Sequence, residues 1–301
     1  MSKTAFLFPG QGVQKCGMGE DFYRSSPQAA RLFDEAGKAI GLDMKALCFE
    51  KNDLLDQTEY TQAALVTTYL AISRELEQRG IKPDITAGLS LGEYAAIAVA
   101  GAMSDLEAIR LVRKRGILMQ HTVPAGEGAM CAILALDEKK IEEVLDDIPD
   151  VTIANYNCPG QIVITGKTEA VKTAAEKLKE AGARRTLMLN VSGPFHSPML
   201  KAAEKDLRQE LEQIQFKTLQ IPYVTNVNAQ KITEESEIAD LLVRQMYSPV
   251  RWMQSMQTLI EDQVDTFIEI GPGKTLEGFL KKIDKNVQVL HVSCWEDLEK
   301  F

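Results

Sequence analysis

Gly88-Leu89-Ser90-Leu91-Gly92 constrains this chain more than any other stretch. The short extended run Asp84-Ile85-Thr86-Ala87 leads in, and the apolar helical run from Glu93 to Val99 leads out. G-x-S-x-G between a strand and a helix is the pattern of a nucleophile elbow. The chain must turn so sharply there that the serine backbone is strained, and the flanking glycines lack the Cβ atoms that would collide. A helix beginning at the serine leaves the N–H groups of its first turn unpaired, so the Leu91 N–H can face a developing oxyanion. A plain strand-to-helix loop can carry the same five residues. The strand before and the helix after favour the elbow.

The chain has 301 residues, 45% hydrophobic and 26% charged, enough for one large domain or two smaller ones with a sizeable core. Its net charge of -9, with no basic tail, argues against nucleic-acid binding. Cys16, Cys48, Cys131, Cys158 and Cys294 are scattered and odd in number, which fits free thiols in a reducing cytoplasm. His121, His196 and His291 are equally dispersed, so no metal site is expected. No signal peptide and no apolar run of membrane-spanning length is visible, and a cytoplasmic location away from any membrane is expected.

Thr4 to Phe8 reads as a buried strand running into the tight loop Pro9-Gly10-Gln11-Gly12. The next glycine falls at Gly17, so the dinucleotide fingerprint G-x-G-x-x-G fails. A loop after the first strand can bring a second N–H, that of Gln11, to a site beside the elbow. It also reads as a simple glycine-rich turn. Helices are expected over Glu20 to Leu47, broken at Ser26-Pro27 and Gly41, and over Thr61 to Arg79. Another opens at Ser104-Asp105-Leu106-Glu107 with good N-cap chemistry. On it Arg110, Arg113 and Lys114 read as a solvated face. Arg115 has the apolar helical neighbours Leu111, Leu118 and Met119, which point its face inward.

After the break at 124–128 the pattern changes. Strand, helix, strand, strand, helix, strand follow at Ala129–Leu136, Asp137–Asp147, Val151–Tyr156, Gln161–Thr165, Thr168–Ala181 and Arg185–Val191. The order β-α-β-β-α-β is ferredoxin-like. A small subdomain over 123–193 is therefore expected, inserted into a larger α/β domain made of 1–122 and 194–301. In Gly193-Pro194-Phe195-His196-Ser197-Pro198, Ser197 can cap a helix running to Gln213. His196 then sits at the mouth of that helix, downstream of the elbow, where a general base belongs. It also reads as an ordinary structural histidine. Ile221–Asn226 and Thr266–Ile270 read as strands and Ile238–Met246 as a helix. Gly271-Pro272-Gly273-Lys274-Thr275 imitates part of a P-loop, but Ile268 stands where that motif needs glycine.

Taken together, several pieces resemble the malonyl-CoA:acyl carrier protein transacylase family. They are Phe8-Pro9-Gly10-Gln11-Gly12, Gly88 to Tyr94, Arg115-Gly116 with Met119-Gln120, Asn157 to Gln161, Gly193 to Ser197 and Glu269 to Gly273. They stand in that family's order and span nearly the whole chain. The resemblance implies an α/β-hydrolase-like large domain with a parallel sheet, carrying the ferredoxin-like insertion. It implies ping-pong transfer of a malonyl group from malonyl-CoA to the phosphopantetheine thiol of acyl carrier protein, without cofactor. By position it gives Ser90 as the acylated nucleophile, His196 as general base and Arg115 as the grip on the malonyl carboxylate. Gln11 and Leu91 match the oxyanion-hole donors, and Gln245 the residue whose backbone carbonyl orients the histidine. Phe195 matches the malonyl-selective pattern, because a bulky neighbour leaves little room for an α-methyl branch. Many members carry histidine where Leu89 stands, a position the chemistry does not require. Carriers of fatty-acid and of polyketide synthesis both fit the resemblance.

An acyl-thioester hydrolase using the same Ser–His dyad is the main competing function. Arg115 argues against it, because a buried cation without an anionic partner is costly. A non-catalytic carrier-binding module is a second competitor, but it predicts loss of the nucleophile or base, and both are present. An acidic carrier needs a local basic patch on this acidic chain. Lys177, Lys179, Arg184 and Arg185 are candidates, with Lys281 and Lys282 opposite.

Overall fold

The computed structural model describes residues 3–301. Strand β1 (Thr4–Phe8) is apolar on both faces and central to the fold: Phe6 and Phe8 enter one hydrophobic core, Ala5 and Leu7 another. A strand buried on both faces needs helices on both sides. Helices α1 (Glu20–Ser25) and α2 (Pro27–Ile40) meet at Ser26, which ends the first and caps the second by accepting the Ala29 N–H. Pro27 takes the first position of α2, and Gly41 closes it with φ of 68°. The short helix α3 (Met44–Phe49) then leads to α4 (Thr58–Gln78), which is buried along most of its length. Strand β2 (Ile85–Gly88) carries the chain into the elbow and helix α5 (Gly92–Val99) carries it out. Helix α6 (Asp105–His121) starts with a full capping box between Ser104 and Glu107. It lies close against the start of α4, since a Cβ on Gly116 would sit 3.0 Å from the Thr58 carbonyl oxygen.

Strand β3 (Gly128–Leu134), helix α7 (Glu138–Asp146), strands β4 (Val151–Cys158) and β5 (Gln161–Lys167), helix α8 (Thr168–Glu180) and strand β6 (Arg185–Met188) follow in the expected order. They form a four-stranded antiparallel sheet, ordered β4-β5-β3-β6, with its own core against α7 and α8. The chain then returns through a short 3-10 stretch (Pro198–Ala203), α9 (Glu204–Leu211), β7 (Tyr223–Val224), β8 (Lys231–Ile232) and α10 (Ile238–Gln245). It ends with α11 (Trp252–Glu261), β9 (Thr266–Ile270), α12 (Thr275–Ile283) and β10 (Gln288–Val292). The larger sheet has the order β10-β9-β1-β2-β7-β8, parallel throughout except for the β7–β8 hairpin. The two sheets are stitched where Tyr156 and Ala154 of β4 exchange backbone hydrogen bonds with Val250.

Several expectations need adjustment. The helix after the elbow begins at Gly92, not at the serine. Strand 221–226 shrinks to two residues because the chain turns back at once, with the Ala229 N–H bonded to the Thr225 carbonyl. Strand 185–191 stops at Met188, and the helix after Ser197 begins as a 3-10 turn. Arg113 is not solvated. It pairs with Glu59 at 2.8 Å and stacks 4.4 Å over the Tyr60 ring, whereas Arg110 and Lys114 are exposed as expected. No helix among the described residues is long and apolar enough to cross a membrane.

Candidate active site

Strands β1 and β2 are parallel neighbours with Phe8 opposite Gly88, so the Gln11 loop and the elbow leave the sheet at the same edge. The elbow packs too tightly for any side chain at its glycines. A Cβ on Gly88 would lie 1.9 Å from the Gly92 carbonyl carbon, and one on Gly92 would lie 2.2 Å from the Phe8 oxygen. Ser90 itself is held at φ of 55°, a strained left-handed conformation for a residue with a side chain. Strain of this kind puts the hydroxyl on the outside of the turn.

His196 comes from 106 residues downstream, and its Nε2 lies 2.8 Å from the Ser90 Oγ. Its Nδ1 lies 2.8 Å from the backbone carbonyl oxygen of Gln245. A carbonyl only accepts, so Nδ1 carries the proton and Nε2 is free to take the serine's. Burial, reinforced by the Arg115 charge, pushes the imidazole down to about 3, and it is neutral at any working pH.

Arg115 is fully buried behind the serine. Its Nη2 donates to Ser90 Oγ at 3.0 Å and to Gln245 Oε1 at 2.8 Å, and its Nη1 donates to Gln62 Oε1 at 2.7 Å. All three acceptors are uncharged. Its Nε has no partner among the described residues, and its guanidinium carbon sits 5.4 Å from the Tyr94 ring centroid. Burial lowers its pKa, but a guanidinium stays protonated. The site thus contains a cation with no carboxylate in contact, aimed at the nucleophile.

The backbone N–H groups of Gln11 and Leu91 have no hydrogen-bond partner among the described residues. The Gln11 side chain donates to Thr58 Oγ1 at 3.1 Å, which ties the loop to the start of α4. Ser90, His196, Gln11 and Phe195 line a cleft of about 490 Å³. Its opposite wall comes from the small sheet and the segment beyond it: Met130, Asn155, Asn157, Val163, Leu189 and Asn190. Of the seven residues expected from the sequence, Gln11, Ser90, Phe195 and His196 line the cleft, Arg115 and Gln245 bond directly to Ser90, and Leu91 follows the serine in the elbow. Gln62, Glu93 and Asn226 are members that sequence reasoning did not pick out. Gln62 lies on the helical face of Thr58 and Leu65, a signal that reads simply as core.

The P-loop-like segment after β9 carries no anion site. The carboxylate of Glu269 already occupies the start of α12, accepting the N–H groups of Leu276 and Glu277 at 3.0 and 2.7 Å. Among the described residues no group of three or more His, Cys, Asp or Glu side chains is arranged to hold a metal ion.

A strained serine on an elbow, a neutral histidine within hydrogen-bond reach and two free N–H groups form the constellation of an acyl-transferring serine enzyme. The chain belongs to the acyl transferase domain family, whose pattern it matches over residues 5–292. It is 46% identical to the malonyl CoA-acyl carrier protein transacylase of Bacillus subtilis, over 99% of this chain and 96% of that one. The crystal structure of malonyl CoA-acyl carrier protein transacylase from Clostridium perfringens superposes with a TM-score of 0.96 at 42% identity, covering 99% and 96% of the two chains. A malonyl-transacylase solved in complex with a type II PKS acyl-carrier protein superposes with a TM-score of 0.96 at 39% identity, covering 99% and 98%.

Proposed function

We propose that this chain transfers a malonyl group from malonyl-CoA to the phosphopantetheine thiol of an acyl carrier protein through a malonyl-Ser90 intermediate. Ser90 Oγ attacks the thioester carbonyl while His196 Nε2 takes its proton. The oxyanion accepts the N–H groups of Gln11 and Leu91. As the intermediate collapses, the C–S bond breaks and His196 returns the proton to the CoA sulfur. In the second half the carrier thiol gives its proton to His196 and attacks the ester; the ester C–O bond then breaks and His196 passes that proton to Ser90 Oγ. The Gln245 carbonyl stands where a Ser-His-Asp enzyme places its carboxylate, so the working unit is a dyad.

The observation that carries the malonyl assignment is Arg115, a buried guanidinium 3.0 Å from Ser90 Oγ whose three partners are all neutral. Hydrogen-bonded by neutral groups alone, it keeps its donors available for an incoming anion, and the malonyl carboxylate is that anion. Burial is the larger cause of the depressed His196, but a carboxylate on Arg115 offsets the smaller one, the Arg115 charge, and makes the imidazole a somewhat stronger base once the right substrate is bound. Phe195 narrows the same pocket against an α-branched acyl group. Transfer rather than hydrolysis by the same dyad is supported by the relatives, which are transacylases.

The strand order β4-β5-β3-β6 supports reading the insertion at 123–193 as a ferredoxin-like subdomain on an α/β-hydrolase-like domain of 1–122 and 194–301. Buried Asn155 and Asn157 on the cleft wall offer amide partners to a pantetheine arm. Cysteines that are all free suit a reducing cytoplasm. Intact mass spectrometry tests the assignment. Wild-type protein gains one malonyl group from malonyl-CoA and loses it to carrier thiol, Ser90→Ala gains none, and an adduct on that variant overturns Ser90.

A further inference from the structure

Glu93 opens the helix after the elbow and is fully buried, yet the mechanism above gives it no role. Its carboxylate nonetheless holds two residues that surround the nucleophile. Oε2 accepts the Gln245 Nε2–H at 2.7 Å and the Asn226 backbone N–H at 3.2 Å. Asn226 clamps the elbow from one side: its Oδ1 accepts the Ser90 N–H at 2.7 Å and its Nδ2 donates to the Gly88 carbonyl at 2.7 Å. Gln245 clamps it from the other, with Nε2 donating to the Ser90 carbonyl at 2.9 Å and its own carbonyl aligning His196. The Gln245 amide is thereby suspended between opposite charges, Oε1 on Arg115 and Nε2 on Glu93. Turned over, it would set oxygen against carboxylate and N–H against guanidinium.

We propose, on the basis of the acyl-transfer reading of Ser90 and Arg115, that Glu93 is a positioning residue with two effects. It locks the elbow and the Gln245 amide, and it supplies the counter-charge that sets how strongly the site prefers an anionic acyl group. With Glu93 ionised, the Arg115 charge is balanced and a carboxylate gains less by entering. With Glu93 neutral, the site carries an uncompensated positive charge. The groups facing it are Arg115 on α6, Tyr94 on its own helix, Tyr223 on β7 and, nearby, His196. Burial raises both phenols above the usual range, Arg115 stays charged, and His196 stays neutral above about 3. Burial has raised Glu93 itself to about 7, against the pull of its hydrogen bonds and of Arg115. It alone in this cluster changes charge near neutral pH.

The test is the ratio of kcat/KM for malonyl-CoA to that for acetyl-CoA, followed from about pH 6 to about pH 8.5, which cancels ionisations common to both CoA esters. In the wild type this ratio falls about tenfold as pH rises through neutrality. Glu93→Gln keeps the size and an acceptor for Gln245, and its ratio stays at the low-pH value throughout. Glu93→Asp keeps the charge but withdraws it from Gln245, so the pH dependence survives while kcat falls about tenfold with both substrates. A wild-type ratio that is flat with pH overturns the proposal even if no variant folds, and so does a Glu93→Gln ratio that falls like the wild type. Failure of Ser90 to take malonyl at all would instead remove the acyl-transfer reading.

Discussion

A guanidinium inside a protein without a carboxylate beside it is an expensive arrangement, and Arg115 is held in it by two neutral amides, Gln62 and Gln245. Selectivity for an anionic acyl group follows directly. Replacing Arg115 by alanine should lower kcat/KM for malonyl-CoA by about 100-fold while changing that for acetyl-CoA less than about tenfold. Arg115→Lys keeps the charge but not the planar fork, so malonyl transfer should fall and persist. A malonyl-to-acetyl ratio unchanged in Arg115→Ala would take the carboxylate away from Arg115. Gln62→Ala is a milder version of the same test. It frees Nη1 without touching the serine, and about a tenfold loss confined to malonyl-CoA is expected.

Between β2 and α5, side-chain volume is excluded to build the elbow. A methyl group on Gly88 would lie 1.9 Å from backbone, not from a side chain that can swing away. Gly88→Ala is therefore expected to cost about 3 kcal/mol or more and to displace Ser90, lowering the unfolding midpoint and abolishing malonyl labelling together. The small sheet makes a different contribution. Its edge strand β6, paired among the described residues with β3 alone, exposes Leu187 and Met188, with Leu189 exposed just beyond, 47%, 48% and 37% accessible. Leu189 also lines the cleft that holds Ser90, and the exposed Arg184 and Arg185 lie at the other end of the strand. That combination suits an acidic carrier better than the α12 side, where Lys281 is already paired with Glu277. Reversing Arg184 and Arg185 to glutamate should raise KM for carrier protein about tenfold and leave KM for malonyl-CoA unchanged. Equal effects on both substrates would discard this surface.

At the scale of the whole molecule, function depends on two sheets closing one cleft, and stability depends on what that closure buries. Three groups pull stability in opposite directions with pH. His196 sits at about 3 in the folded chain against an ordinary 6.5, so its contribution is complete above the ordinary value and is lost as pH falls toward 3. Glu93 and Glu269 are raised to about 7 from an ordinary 4.5. Their contribution is complete below the ordinary value and is lost as pH rises through about 7. Two carboxyls against one imidazole predict a decline in stability from about pH 5 to about pH 7.5. Urea midpoints across that range check it. Glu269→Gln should leave the curve nearly flat there, and an unchanged slope would refute the assignment.

Local chemistry made much of this protein legible. The elbow glycines, the Ser104–Glu107 capping box, Ser26-Pro27 and the strand–helix order of 123–193 act between near neighbours, so their meaning survives in one dimension. The serine, the histidine and the arginine were recognisable because each sits in a short segment with its own signature. Only the tertiary structure decided what surrounds them. Gln62, Glu93, Asn226 and Gln245 lie on separate elements, and no spacing in the chain announces that one carboxylate oxygen holds both clamps of the elbow. The two-residue strand β7 exists because β2 and β8 flank it, not because of its own composition. Arg113 and Arg115 differ by two positions on one helix. The first meets Glu59 and Tyr60 on a neighbouring helix, and the second meets the back of the serine. Periodicity states which face of a helix is buried, but what that face meets depends on how distant segments pack against it.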